Sequence, residues 1–153
     1  MRTLILLRHA KAADPDDYAT DLERPLTSRG RRDAAVAGAW LRAEGLEPDA
    51  VLCSPAVRTR ETLAALALDV HVVFEHRIYT GPAPGALELI RQTSPLVRTL
   101  LFVGHNPTLS DLSHDLAPDA GDLATSGLAI HRFDGAWPAL SAAALTARHT
   151  ARA

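Results

Sequence analysis

The chain has one cysteine and no long apolar run. A single cysteine excludes an internal disulfide framework and fits a reducing compartment. No apolar stretch approaches the roughly 20 residues needed to cross a bilayer. The N-terminal apolar run stops at Arg8 with no small-residue cleavage site after it, which argues against a signal peptide. We therefore expect a cytoplasmic protein with no membrane partner.

The chain also lacks a large excess of charge of either sign. The formal net charge is −2, so nothing indicates nucleic acid or an anionic membrane as an electrostatic partner. Apolar residues make up 47% and charged residues 22%, which is typical of a globular rather than a disordered protein. A length of 153 residues is that of about one domain. We expect residues 1–153 to form a single domain.

Apolar runs alternate with helical patterns along the chain. Thr27 or Ser28 is the predicted N-cap of a first helix that Gly45 ends, and Ser54 is the predicted N-cap of a second, with Pro55 at its first helical position. Helical spacing recurs in the stretches PGALELIRQT and GHNPTLSDLSHDLA. Strands are predicted at 3–7, 50–53, 70–74, 99–103 and 128–133. This alternation predicts an α/β sandwich with a mostly parallel sheet.

The acidic stretch and the pair Asp111 and His114 are expected to carry no chemistry. The acidic stretch DPDDYATDLE is predicted to be a flexible, solvated loop. Asp111 and His114 are spaced i, i+3 and form a potential ligand pair, but a solvated helix face explains them better. The residues from 139 onward have helical propensity, although pattern alone does not assign them. No metal and no cofactor is expected.

Unusual residues collect where three strands end. They are found in Leu7-Arg8-His9-Ala10, in Cys53-Ser54-Pro55-Ala56-Val57-Arg58 and in Gly104-His105-Asn106-Pro107. Ligands of open α/β sheets bind beyond the carboxyl ends of the strands, so these clusters are expected to meet in one crevice. Guanidinium groups match phosphate oxygens, and imidazole acts as a nucleophile or a donor. The combination predicts a phosphoryl site.

The chain resembles the histidine phosphatase superfamily, which is phosphoglycerate mutase-like, and within it the short SixA type of phosphohistidine phosphatase. The matching text is LLRHAKA, ERPLTSRGRRDA, VLCSPAVRTRETLA, FVGHNPTL and TSGLAIHRFDG, which together span nearly the whole chain. The resemblance implies a three-layer α/β/α sandwich with a mixed sheet and no cap domain. It also implies that the tail forms an edge strand. Ala10 departs from the glycine that many members have, and we expect only a small adjustment of the loop.

The resemblance also implies a mechanism. His9 attacks phosphorus and forms a phosphohistidine intermediate that water hydrolyses. Arg8, Arg58 and His105 surround the phosphoryl oxygens, with His105 as a hydrogen-bond donor, and Arg24 lines the pocket. His9 must be neutral to attack, and we expect the nearby Arg8 and Arg58 to lower its pKa.

No residue is a clear general acid. Glu75 and Tyr79 are the nearest candidates. An alkoxide leaving group needs such an acid, whereas the imidazole of a phosphohistidine leaves more easily because a P–N bond breaks. A missing acid and an open pocket favour phosphohistidine on a partner protein as the substrate.

Three other interpretations stay open. The site is that of a phosphatase acting on small phosphate esters, or it belongs to a module that binds phosphate or phosphohistidine without turnover. A cysteine-based tyrosine phosphatase is the third, but the spacing from Cys53 to Arg58 is one residue short for that family. Pro55 also removes a backbone N–H that such a loop would need.

Overall fold

The computed structural model describes residues 1–153 and consists of one six-stranded sheet with five helices. The strands are β1 (Arg2–Arg8), β2 (Ala50–Cys53), β3 (Val72–Phe74), β4 (Thr99–Gly104), β5 (Gly127–Phe133) and β6 (Ala144–Thr150). The helices are α1 (Ser28–Ala43), α2 (Val57–Ala65), α3 (His76–Thr80), α4 (Ala83–Arg91) and α5 (Thr108–Leu116). Short 3-10 turns lie at Pro15–Asp17, Asp21–Glu23 and Trp137–Ala139. None of the helices combines the length and apolarity needed to cross a membrane.

The sheet is mixed and mostly parallel, as the sequence predicts. Its strand order is β3-β2-β4-β1-β5-β6. The pairs β2–β3, β2–β4 and β1–β4 are parallel, and β5 runs antiparallel to both β1 and β6. Strands β2, β4 and β1 are therefore neighbours whose carboxyl ends lie at one edge of the sheet. That edge carries all three residue clusters identified in the sequence.

Helices cover both faces of the sheet, which gives the three layers expected. Leu4 and Leu6 of β1 belong to a core shared with α4 and α5, while Ile5 and Leu7 belong to a second core shared with α1 and α2. These four side chains are fully buried. A strand buried on both faces reads as a continuous apolar run, and this is why the run 3–7 predicts it.

Helix α1 has the ends that the sequence predicts. The Thr27 side chain accepts a hydrogen bond from the Gly30 N–H at 3.0 Å, which is N-cap geometry. Gly45, at φ +66°, follows the last turn in the left-handed conformation that glycine adopts without strain.

The tail forms an edge strand and not a helix. Residues of β6 alternate between exposed and half-buried, and the strand pairs with β5 along its length. The family resemblance therefore gave the correct prediction, while helical propensity pointed the wrong way. Burial of one face against the sheet outweighs the propensity of an alanine-rich segment. The short helix α3 was not predicted.

Replacement of Gly38 by alanine is expected to destabilise the protein, although the same change usually stabilises a helix. A Cβ at Gly38 would collide with the Leu66 backbone at the end of α2. Overpacking against backbone costs about 1–3 kcal/mol. Gly85 is the matched control, because its nearest neighbour to a Cβ is Pro82 Cδ at 3.9 Å. Urea denaturation should show Gly38→Ala destabilised and Gly85→Ala stabilised by about 0.5–1 kcal/mol. Equal effects of the two changes would contradict this packing.

Candidate active site

The three predicted clusters meet at the carboxyl edge of the sheet. Backbone hydrogen bonds join them, because the His9 N–H donates to the Gly104 carbonyl at 3.2 Å and the Ser54 N–H to the Val103 carbonyl at 3.1 Å. They border a cavity of about 340 Å³. Its lining is Arg8, His9, Lys11, Ala12, Arg24, Arg58, His105, Asn106 and Thr125. All five residues that were predicted to act in phosphate chemistry are therefore brought together in this lining.

The imidazole of His9 is held in one orientation. Its Nδ1 lies 2.7 Å from the Ala10 carbonyl oxygen. Because a carbonyl only accepts, Nδ1 carries the proton in the neutral ring, and Nε2 is left with a free lone pair. Ala10 is fully buried and has no positive φ, so an alanine fits this position without backbone strain.

A threonine that sequence reasoning missed fixes the position of Ala10. The Ala10 N–H donates to Thr62 Oγ1 at 3.0 Å, and that hydroxyl donates to the Arg58 carbonyl at 2.7 Å. The peptide that orients His9 is thereby joined to the helix that carries Arg58. The signal was present in the sequence, since residues 58 and 62 are one helical turn apart and share a face of α2.

His9 is neutral at physiological pH. Burial, together with the positive charges of Arg58, Arg8 and Arg24, lowers the pKa of His9 to about 4 against the opposing effect of the Ala10 hydrogen bond. The direction of this shift matches the expectation from the sequence. The main cause of the shift differs from the expected one, because loss of solvation lowers the pKa of His9 more than the arginines do. The burial of His9 could not be deduced from the motif alone.

His105 lies beside His9, and Ser54 holds it. The two imidazole centroids are 5.4 Å apart, and Ser54 Oγ lies 2.8 Å from His105 Nε2. The prediction that Ser54 caps α2 is wrong. The helix begins at Val57 with Ala56 as its N-cap, so Pro55 lies before the helix and not at its first position. The Ser54 hydroxyl accepts a hydrogen bond from the Ala56 N–H at 3.3 Å and also contacts His105. Burial, together with Arg58 and the other nearby cations, lowers the pKa of His105 to about 3, so the ring is neutral in the ligand-free protein.

Arg8 is anchored from the opposite side of the cavity. Its Nη1 donates to the Leu123 carbonyl at 3.1 Å, and Asn106 Nδ2 donates to the same oxygen at 2.8 Å. The Arg8 Nε is buried and has no hydrogen-bond partner. An unpartnered buried donor is costly, so a bound anion would supply the acceptor that the protein does not.

The acidic segment is exposed along its length, as predicted, but one of its residues, Asp21, contacts the arginines of the site, which was not predicted from the sequence. Asp21 lies in the second 3-10 turn of the segment and receives hydrogen bonds from three side chains. Arg58 Nη2 and Arg24 Nη1 donate to its two carboxylate oxygens at 2.9 Å each, and the Tyr79 hydroxyl donates at 2.8 Å. Burial favours the neutral acid, but these three bonds outweigh it and hold the pKa of Asp21 well below its usual range. The arginines therefore have one carboxylate as counter-ion.

The two candidate acids lie in different places. Glu75 is the N-cap of α3, pairs with Arg77 at 3.0 Å and borders a separate groove beside β3. Its hydrogen bonds with Arg77 lower its pKa, so it is ionised. Tyr79 lies next to the site, with its ring centroid 5.6 Å from that of His105. The hydrogen bond to Asp21 raises the pKa of Tyr79, so its hydroxyl stays protonated.

Cys53 is not placed to act as a nucleophile. It is fully buried at the end of β2, and burial raises the pKa of its thiol to about 12. Reactive cysteines have lowered pKa values and partial exposure. The structure therefore gives no support to the cysteine-based alternative.

Asp111 and His114 lie outside the site. They line another groove on α5, together with Asp115 and Asp122. No group of three or more His, Cys, Asp or Glu side chains has an arrangement that would hold a metal ion, here or elsewhere in the chain.

Comparison with protein families gives a match over residues 4–78 to the model described as histidine phosphatase superfamily (branch 1). Among curated relatives, the uncharacterized protein Rv1276c of Mycobacterium tuberculosis is 46% identical over 143 residues, covering 86% of this chain and 89% of that protein. The phosphohistidine phosphatase SixA of Escherichia coli is 27% identical over 121 residues, covering 75% of this chain and 74% of SixA.

Solved structures of SixA proteins have the same fold as this chain. A protein assigned as the phosphohistidine phosphatase SixA of Nakamurella multipartitia superposes with a TM-score of 0.91 at 33% identity, covering 99% of this chain and 97% of that one. The protein histidine phosphatase SixA complexed with tungstate superposes with a TM-score of 0.84 at 23% identity, covering 97% and 96% of the two chains.

The titration of His9 tests the site's electrostatics. We expect its imidazole to change charge near pH 4 in the ligand-free protein, because burial and the arginines disfavour the imidazolium. Nitrogen-15 chemical shifts followed against pH, with His9→Gln to assign the signal, measure this directly. Between about pH 6.5 and 4, His9 and His105 bind protons in the unfolded chain but not in the folded protein. The free energy of unfolding should therefore fall as the pH falls through that window. A His9 midpoint near 6.5 would contradict the account.

Proposed function

The chain belongs to the histidine phosphatase superfamily, branch 1, and on that premise we propose that it is a metal-independent phosphatase that dephosphorylates phosphohistidine on a partner protein. The family and the similar structures support a phosphatase. The nucleophile, the substrate and the cytoplasmic location are our proposal, as is the assignment of residues 1–153 to one histidine phosphatase domain.

The observation that carries the proposal is the orientation of His9. Its Nδ1–H is bound to the Ala10 carbonyl, and the neutral ring keeps a lone pair on Nε2 inside a cavity lined with arginines. This is what nucleophilic attack on a phosphoryl group needs. In the proposed reaction the Nε2–P bond forms as the leaving group departs, and water then hydrolyses the phosphohistidine intermediate.

The residues around His9 bind the phosphoryl oxygens in this proposal. Arg8 offers its unpartnered Nε, and Arg58 offers the N–H groups that Asp21 does not occupy. His105 donates a hydrogen bond, and a bound dianion would favour its protonated form. Arg24 lies at the edge of the cavity with one N–H already bound to Asp21. Transition-state charge is spread over the phosphoryl oxygens, so fixed donors around them lower the barrier.

The missing general acid supports a P–N substrate. None of the nine residues that line the cavity is acidic, and Glu75 is ionised and paired elsewhere. A general acid contributes about 10²–10⁴-fold when an alkoxide must leave. The leaving nitrogen of a phosphohistidine requires less assistance. Relatives named phosphohistidine phosphatase in two bacteria agree with this choice.

Phosphate release tests the proposal. We expect the wild-type protein, with EDTA present, to release phosphate faster from a phosphohistidine peptide than from p-nitrophenyl phosphate. His9→Ala should lose about 10³-fold or more of this activity, because it lacks the nucleophile. His71→Ala is the control, since that histidine is exposed at the other side of the sheet, next to β3.

Other outcomes would identify the alternatives. Faster turnover of the ester would indicate a phosphatase of small metabolites. A loss of activity in EDTA would overturn the metal-independent mechanism. Binding of the peptide without phosphate release would indicate a binding module, and full activity of His9→Ala would contradict the nucleophile.

A further inference from the structure

Asp21 is the one carboxylate that contacts arginines of the proposed phosphate site, namely Arg24 and Arg58. Arg58 binds it twice, through Nη1 to the main-chain oxygen at 2.8 Å and through Nη2 to the carboxylate at 2.9 Å. Arg24 and Tyr79 complete its contacts. A negative charge at position 21 opposes the binding of a phosphoryl dianion. A neutral acceptor would orient the two arginines without this cost, so orientation alone does not explain why the residue is an aspartate.

The position of Asp21 relates it to the leaving group. Its side chain is 48% exposed, whereas that of Arg58 is 8% exposed. Asp21 is not among the residues that line the cavity, but its more exposed carboxylate contacts two that are, Arg24 and Arg58. We take the leaving group of a phosphoryl group bound in the cavity to point outward, toward Asp21. In-line attack places the leaving group away from the nucleophile. Lys11 also lines the cavity and carries a positive charge with no ion pair, so the charge of Asp21 acts against that of Lys11.

We propose that Asp21 selects the leaving group by charge, favouring a cationic group such as the protonated imidazole ring of a phosphohistidine over an anionic one. This inference rests on the proposed function and names the residue that decides substrate class within it. A carboxylate a few ångströms from a charged group changes its energy enough to alter rates several-fold at a partly exposed site. Anionic leaving groups, such as carboxylated alcohols, are repelled by the same charge.

The chemical step balances without a general acid. The lone pair of His9 Nε2 forms the new N–P bond, and the substrate P–N bond breaks with its electron pair kept by the leaving nitrogen. The proton on the other nitrogen of the leaving ring stays where it is. The ring therefore departs as neutral imidazole and not as imidazolate. By stabilising the protonated ring in the bound substrate, Asp21 increases the fraction of substrate that can leave in this way.

Two small phosphoramidates with the same scissile bond test the proposal. In ring-phosphorylated histamine the leaving group carries an ammonium, and in ring-phosphorylated imidazole-4-acetate it carries a carboxylate. We expect wild-type kcat/KM to favour the histamine compound by about tenfold, and Asp21→Asn to reduce this ratio to about twofold or less. Asp21→Glu, which keeps the charge, should restore much of the preference.

Glu23→Gln is the matched control. Glu23 is an exposed carboxylate in the same 3-10 turn, and its side chain makes no hydrogen bond or ion pair. We expect its removal to leave the ratio at the wild-type value. Wild-type protein in high salt provides a test that depends on no variant, because screening should lower the ratio there as well.

Tungstate binding separates this role from a structural one. Tungstate is an anion without a leaving group, so removal of the Asp21 charge should leave its affinity unchanged or higher. If Asp21 only positions Arg58, Asp21→Asn will weaken tungstate binding and slow both substrates equally, with the ratio unchanged. That result would overturn the inference while leaving the phosphatase proposal intact. A wild-type protein that turns over neither compound and also fails to dephosphorylate a phosphohistidine peptide would overturn both.

Discussion

The parallel register of β1 with β4 is the constraint on which the site depends. Arg8 lies opposite Gly104, and the His9 N–H continues the ladder by donating to the Gly104 carbonyl. This pairing brings His9 and His105, distant in sequence, to ring centroids 5.4 Å apart. A shift of one residue would turn every side chain of β1 to the opposite face, and both cores would be lost with the site. The packing that stabilises the fold thus also positions the groups that we propose to be catalytic.

Burial and positive charge act together at this edge of the sheet. Both histidines are kept neutral because water is largely excluded and arginines surround them. The same conditions leave donors without acceptors, as at Arg8 Nε, and one carboxylate, Asp21, holds two of the three arginines. Positive charge therefore exceeds negative charge at this edge of the sheet, and in the proposed function a phosphoryl group is the anion that balances it.

Much of this arrangement could be predicted from sequence. Strand ends in an α/β fold converge by topology, so the positions of Arg8, His9, Arg58 and His105 along the chain were enough to group them. The residues that were missed act through contacts between distant segments. Asp21 looked like one acidic residue among several in a loop, and Ser54 looked like a helix cap because a serine before proline commonly is one. Only the three-dimensional arrangement shows that each faces a partner elsewhere. The edge strand β6 was hidden for the same reason, since its pairing with β5 overrides local propensity.

The most direct test of the account is to trap the phosphorylated protein during a single turnover. A phosphohistidine peptide labelled on phosphorus would be mixed with excess protein, quenched in base and digested, and the label located by mass spectrometry. We predict acid-labile, base-stable phosphate on Nε2 of His9, because Nδ1 is committed to the Ala10 carbonyl. Label on any other residue, or on Nδ1 of His9, would contradict the mechanism. Rapid phosphate release with no labelled protein at any time point, in wild type and in His9→Ala alike, would indicate direct attack by water and would contradict it equally.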